Sequence, residues 1–345
     1  MERRHGKPID IGQFKKPVLH NLLGHLDKIR GIVSYLASHE TPIHQQSCHV
    51  CGSREAVPRV EIHQFTYVTC AECGLVYTSR RYSDEAIRRF YATNRYWSEV
   101  TYANRETCHY RRDQVAKPKV EFAERHLGNE RGVWVDVGSG IGDLVSVVQE
   151  RGWQGVGLEL SATSVAFAKE VFGVNLEQTT LEEYLTTHPE WIGTIQVVSL
   201  IGVLEHVTDP MGLLATVQKI LVPGGAALIQ VPNANSLASM VQEVFPDNVF
   251  RHMSPIEHIM LFTEPALMRA LELNGFEPIA WWFHGLDIYE LLTNLVISHH
   301  DRMRDSALYH TLLATMNNLQ QVIDDQELSD RIICLARKKI TLPKT

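Results

Sequence analysis

Four of the six cysteines stand as two close pairs, Cys48-His49-Val50-Cys51 and Cys70-Ala71-Glu72-Cys73, about eighteen residues apart. Four thiolates at this spacing can close a tetrahedron around zinc, as in a zinc ribbon. A closed all-sulfur shell leaves no position for water or substrate. The spacing therefore predicts a structural zinc on Cys48, Cys51, Cys70 and Cys73, about one ion per chain, that holds a small module together. His49 lies inside a knuckle as a bystander, and Cys108 and Cys334 stand alone. A redox pair is the other chemistry such spacing allows.

A second constellation runs from Val133 to Asp143, Val-Trp-Val-Asp-Val-Gly-Ser-Gly-Ile-Gly-Asp. It reads as a buried strand that enters a tight glycine turn with a helix behind it. Glycines let a backbone approach a ligand closely, and a helix N-terminus offers unpaired amides and a positive dipole end. The spacing Gly138-x-Gly140-x-Gly142 differs from the Gly-x-Gly-x-x-Gly of dinucleotide enzymes, and Asp136 precedes the turn by two residues. That acid suits a cationic amino-acid ligand. The next strand ends in Glu159, at roughly the twenty-residue offset of an acid that bonds ribose hydroxyls.

Candidate acids and bases come later in the chain. Leu204-Glu205-His206 follows a further strand, and histidines recur after Asn233 at His252, His258 and His284. A histidine or carboxylate near a hydroxyl can remove its proton. We take His258 as the base, with Glu257 positioning it or the acceptor. His206 either acts directly or orients the helix behind it.

The elements that must position these groups follow from periodicity. Apolar residues from Val18 to Leu36 recur at three- and four-residue steps, which predicts an amphipathic helix. Ser83-Asp84-Glu85 reads as a helix start before the aromatics Phe90, Tyr91, Tyr96, Trp97 and Tyr102, whose commoner meaning is helix packing. From Val133 onward, short apolar strands alternate with helices at 133–137, 144–149, 156–158, 165–172, 197–200, 213–221 and 226–231. Such alternation predicts an α/β fold with a mostly parallel sheet covered on both faces. Later strands are expected near Ile279–Phe283 and Ile332–Ala336, with helices between Leu286 and Ile323. The expected organisation is a helical segment over 1–44, a zinc ribbon over 45–80, a helical linker or lid over 81–130 and an α/β domain over 131–345.

The ordered series of Asp-x-Gly-x-Gly-x-Gly, strand-end Glu159, Leu204-Glu205-His206, Pro223-Gly224-Gly225 and Val231-Pro232-Asn233 resembles the class I S-adenosylmethionine-dependent methyltransferases over roughly residues 133–276. The resemblance implies a Rossmann-like sheet. It further implies a cofactor site of Asp136, Gly138, Ser139, Gly140, Gly142, Glu159, Leu160, Leu181, Glu182 and Leu200, with the glycine loop on the methionine part, Glu159 on the ribose, and Leu181 and Glu182 near the adenine. Ile195-Gln196 stands where relatives often place Phe-Asp. With the cysteine pairs, Tyr67–Tyr77 and Glu257-His258, the chain is similar to zinc-binding sugar C-methyltransferases of deoxysugar biosynthesis and their relatives in polysaccharide gene clusters. Pro255-Ile256 replaces the Tyr-His of their Tyr-His-Glu-His segment, so O-methylation of a sugar, sugar nucleotide or related polyol fits as well as C-methylation.

Composition is consistent with a cytoplasmic globular protein: 44% hydrophobic, 21% charged, with no apolar run long enough to cross a bilayer. A formal net charge of -7 over 345 residues gives no global attraction for phosphate backbones. Two other readings stay open: an RNA or protein methyltransferase that grips substrate with its ribbon, and a non-catalytic cofactor-binding scaffold.

Overall fold

The computed structural model describes residues 1–7, 9–20, 22–93, 105–248 and 251–340. Its strands are β1 (Glu2–His5), β2 (Ile43–His44), β3 (Ala56–Ile62), β4 (Phe65–Cys70), β5 (Val76–Thr78), β6 (Arg80–Arg81), β7 (Val133–Val137), β8 (Gln154–Leu158), β9 (Ile195–Ile201), β10 (Leu221–Pro232), β11 (Met260–Leu261), β12 (Phe276–His284) and β13 (Arg331–Lys338). Seven of them form one sheet in the order β1-β12-β13-β10-β9-β7-β8. β7, β8, β9 and β10 run parallel, and β13 lies antiparallel between β10 and β12. The fold is thus the Rossmann-like α/β sheet that the alternation of elements predicts.

Strand order reverses at β7, whose neighbours are β8 on one side and β9 on the other. In open α/β sheets the crevice outside the carboxyl ends of the strands at such a switch point is where ligands bind. The glycine turn leaves β7 at that crevice. Alternating residues of β7 feed the two cores: Trp134 packs with Phe122, Val147, Val148 and Trp282 on one face, and Val135 and Val137 pack with Leu200, Leu214 and Ile229 on the other. Trp281, Trp282 and Phe283 are fully buried in β12. Gln196 carries its departure from relatives structurally, because its Oε1 accepts a 2.6 Å hydrogen bond from Val133 N at the start of β7.

The N-terminal segment is more than helical. β1 pairs parallel with β12 and extends the large sheet, while the expected amphipathic helix divides into Ile11–His20 and Leu22–His39. Those helices share a core with the late helices Asp287–Ser298 and Ala307–Asp325, through Ile11, Leu22, Tyr289, Leu292 and Met316. The strands β3, β4 and β5, which lie among the cysteine knuckles, form a second sheet, and its fourth member, β11, comes from far along the chain. Ser83 caps the helix Asp84–Thr93, its Oγ accepting from Ala86 N at 3.2 Å. Tyr96, Trp97 and Tyr102 lie outside the described residues.

Candidate functional site

The glycine turn is held open by its own geometry. Gly138 has a φ of +68°, and a Cβ there would stand 2.9 Å from Val203 Cγ2, so both conformation and space require glycine. Ser139 Oγ donates to Asp136 O at 2.7 Å and ties the turn to β7. Gly142, in the left-handed conformation, starts the helix Asp143–Glu150 and faces Ala168 and Leu176 rather than the crevice. The Glu159 carboxylate bridges the whole arrangement, accepting from Gly140 N and Ser161 N, each at 2.8 Å. Burial pushes its pKa up against these bonds.

Above this turn opens a cavity of about 570 Å³, within the usual range for small-molecule sites. Gly138, Gly140, Glu159, Leu160, Leu181 and Glu182 line it, which brings six of the ten expected cofactor residues together. Leu160 and Leu181 give an apolar lip suited to a flat ring, with Glu159 beside it for hydroxyls. Leu200 does not line it. Its side chain is fully buried in the core, and Ile201, Gly202 and Val203 line the cavity instead.

A smaller cavity of about 110 Å³ adjoins the turn and is lined by Asp136, Ser139, Asp143, Arg111 and Lys119 among others. Asp136 is buried and accepts from Ser199 Oγ, which in turn accepts from Trp134 Nε1 at 3.0 Å. Burial, with Asp143 adding repulsion, pushes its pKa up to about 7. Burial likewise pulls Lys119 down to about 7. Two acids and two cations around a small space can receive both ends of a zwitterionic amino acid. Arg111 and Lys119 carry no motif, which is why sequence reasoning passes over them.

His206 lines the larger cavity, and His258 stands behind it, with ring centroids 5.0 Å apart. Backbone carbonyls fix both rings through Nδ1: Glu257 O accepts from His206 at 2.7 Å and His252 O from His258 at 2.6 Å. Nδ1 therefore carries the proton, and Nε2 presents a lone pair. So Glu257 acts on His206 through its main chain, and His258 is oriented by His252. Burial is the leading cause that lowers His206 to about 3 and His258 to about 4, so both are neutral at physiological pH. Glu205, unassigned by sequence, is buried and its pKa is pushed up to about 8 by desolvation. Its Oε1 lies 3.9 Å from His206 Nε2. One donor atom each from Glu205, His206 and His258 fall within 4.8 Å of one another, an arrangement suited to relaying a proton and also of a size to chelate a divalent cation.

The sulfurs of Cys48, Cys51, Cys70 and Cys73 also lie within 4.8 Å of one another, with Cys48–Cys73 and Cys51–Cys70 each 3.5 Å apart. Zn–S bonds of about 2.3 Å in a tetrahedron require S–S edges of about 3.8 Å, so the donor set fits zinc. Each knuckle closes with a glycine at positive φ, Gly52 and Gly74, whose amides bond back to Cys48 O and Cys70 O. His49 is turned away from the sulfurs and bonds Thr208 O at 3.0 Å, tying its knuckle to the cavity wall.

The ribbon reaches the candidate base directly. Tyr67 Oη donates to His258 O at 2.7 Å, and Thr78 N donates to Ile259 O at 3.0 Å, just before β11 pairs with β5.

Residues 108–280 match the family model described as a methyltransferase domain. The chain is 32% identical over 177 residues to a ubiquinone biosynthesis O-methyltransferase of Sodalis glossinidius, covering 50% of this chain and 65% of that protein. It is 28% identical over 191 residues to the enzyme of the same name from Idiomarina loihiensis, covering 53% and 76%. The chain spans less than two thirds of the length of the first of these curated relatives. Among solved structures, a SAM-dependent methyltransferase from Archaeoglobus fulgidus is similar at a TM-score of 0.47 and 19% identity, covering 70% of this chain and 98% of that one.

Proposed function

We propose, from the premise that this chain belongs to the methyltransferase-domain family, that it is an enzyme moving the methyl group of S-adenosylmethionine to a hydroxyl of a small polar acceptor. The observation that carries the reading is one crevice at the switch point, in which Glu159, the glycine turn and His206 line a single cavity. In this reading Glu159 bonds the ribose, and Leu160 and Leu181 flank the adenine. The turn holds the methionine part, Asp136 takes its ammonium, and Arg111 or Lys119 takes its carboxylate. A cation against Asp136 favours the ionised acid, so cofactor binding and the buried charge support each other. Zinc on the four cysteines holds the ribbon.

Transfer from a sulfonium is an in-line displacement, and the protein mainly aligns the groups and excludes water. The C–S bond breaks as the acceptor oxygen bonds the methyl carbon, and the hydroxyl proton passes to a histidine Nε2. His258 is the base in this reading, with His206 and Glu205 beside it. We favour oxygen over carbon because the curated relatives are named O-methyltransferases. Among acceptors we favour a sugar or sugar nucleotide, on the resemblance carried by the cysteine pairs and Glu257-His258.

Incubating the full-length protein with methyl-labelled S-adenosylmethionine and a panel of sugars, sugar nucleotides and phenolic hydroxyl compounds tests this by mass. A labelled O-methyl sugar is the expected product. Label found only in RNA or protein, or cofactor binding with no transfer at all, would remove the proposal.

Glu159→Gln is expected to weaken S-adenosylhomocysteine binding. The substitution removes a charged acceptor, worth roughly 1.5–3 kcal/mol, or about 10–100-fold in Kd. Calorimetry checks it, and an unchanged Kd would take Glu159 out of the site.

A further inference from the structure

A second group of charged side chains stands at the same carboxyl edge of the sheet, on the other side of β9 from Glu159. His284 ends β12, and its register partner Arg331 begins β13, which places Arg331 opposite Pro232 at the end of β10. Gly6 N bonds Phe283 O at 2.9 Å and Trp282 Nε1 bonds Gly6 O at 2.6 Å, so the chain beyond β1 sets Lys7 beside these strand ends. Lys7 Nζ is shielded from solvent with no hydrogen-bond partner among the described residues, and both ring nitrogens of the buried His284 share that condition.

Buried polar groups are ordinarily paired, and a cation without a counter-charge is the costliest exception. Here the cations reinforce one another. After burial itself, Lys7 is destabilised by Arg331 and Lys119, and His284 by Lys7, Arg331 and Lys119. The acids nearby form no hydrogen bond to Lys7 or His284, although Asp330 partly offsets the charge at Lys7. Asp330 bonds Arg251 and lies 3.9 Å from Arg331 Nε, and Glu290 also pairs with Arg251 at 3.1 Å. Asp287 accepts from Ala238 N, Asp330 N and Gln320 Nε2, and burial pushes its pKa up to about 8. Lys119, which reaches the small cavity at the glycine turn, is the electrostatic link between this cluster and the cofactor crevice.

We propose that Lys7, His284 and Arg331 form a seat for an anionic group of the methyl acceptor, a phosphate or a carboxylate, at the carboxyl ends of β10 and β12. The anion supplies the hydrogen-bonded partner that Lys7 lacks among the described residues, and it fixes the acceptor by a handle remote from the reacting hydroxyl. Two strands and the N-terminal segment build the seat, so it is complete only when β1 is docked on β12. This assignment rests on the methyl-transfer reading for the word acceptor alone. The anion seat itself is measurable without turnover.

Thermal unfolding of the full-length protein with inorganic phosphate, with acetate, and with sodium chloride at matched ionic strength tests it, alongside S-adenosylhomocysteine. Phosphate or acetate is expected to raise Tm beyond chloride, and whichever does so more strongly names the anion class. Lys7→Met is expected to weaken that anion's apparent affinity about tenfold or more while S-adenosylhomocysteine still stabilises the variant as it does the native chain. Should Lys7→Met fail to fold, Arg331→Met replaces it, and Lys7→Arg must retain the anion effect. Equal anion stabilisation of native and Lys7→Met proteins, or none beyond chloride in the native protein, overturns the seat. A native protein that responds to phosphate but not to S-adenosylhomocysteine instead removes the methyl-transfer reading and leaves the seat standing.

Discussion

Stripping zinc from the reduced protein, or replacing Cys73 by serine, is expected to abolish methyl transfer while leaving S-adenosylhomocysteine binding largely intact. The two consequences separate because the two sites are built on different sheets. Glu159 and the glycine turn hang from β7 and β8, which are held by their main-chain pairing with each other and with β9 and by the core on the Trp134 face, where no cysteine packs. His258, in contrast, is held from the ribbon side by Tyr67 and by the pairing of β11 with β5. Metal binding at a four-thiolate site is worth on the order of 10 kcal/mol. Loss of the ion should therefore free β4 and β5 and let His258 leave its place. Metal analysis should first find about one zinc per native chain. Transfer activity, calorimetry and thermal unfolding then follow the stripped protein, which should lose activity by at least about 10²-fold, as loss of an aligned base would. Freshly purified reduced protein without zinc, or full activity after chelation, would refute the account.

The fusion of ribbon and sheet is why the proposed zinc would bear on the site. Cys48, Val50, Cys70 and Tyr77 pack into the same core as Leu204, Leu213 and Phe262. A ribbon that only decorated the surface could tolerate loosening. This one shares its sheet with the residues that follow the candidate base, so its rigidity is transmitted to the site through main-chain hydrogen bonds.

What could be read from sequence is what lies close together along it. The glycine turn, its preceding acid and the strand-end Glu159 sit within one β-turn-α-β unit, and local spacing specifies their geometry. The cysteine knuckles are legible for the same reason. Leu200 shows the limit within a strand. Side chains alternate across a sheet, so a one-residue choice of parity decides between core and cavity. In β9 the core takes Leu200, while the cavity takes Ile201 and the residues after it. The pairing of β1 with β12 and of β11 with β5 joins segments more than 180 residues apart, which no periodicity signals. Glu205 was in view, but its burial was not, and only burial raises its proton affinity. Cations outside any motif, such as Lys7, Arg111 and Lys119, acquire meaning only from what they face.

His258→Ala is expected to lower kcat about 10²–10⁴-fold, the usual contribution of a positioned base, with the Kd for S-adenosylhomocysteine unchanged. His258 is absent from the lining of the cofactor cavity, so its truncation should spare binding and remove only proton transfer. The pH profile gives a second signature. Because burial lowers its folded pKa to about 4, His258 stays neutral and competent down through neutral and mildly acid pH. Activity should be level above about pH 6.5, the ordinary histidine value, and fall only as pH drops toward the lowered pKa. An exposed base would instead lose half its activity near pH 6.5. The same shift makes folding favour the neutral ring, so the stability it contributes is present above about pH 6.5 and is lost as pH falls toward 4. Rates must therefore be taken where the fold remains intact. A His258→Ala protein that keeps more than about a third of native kcat falls well outside the contribution of such a base. It would transfer the role of base to His206, with the Glu205 carboxyl, raised to about 8 by burial, able to accept a proton only where higher pH ionises it.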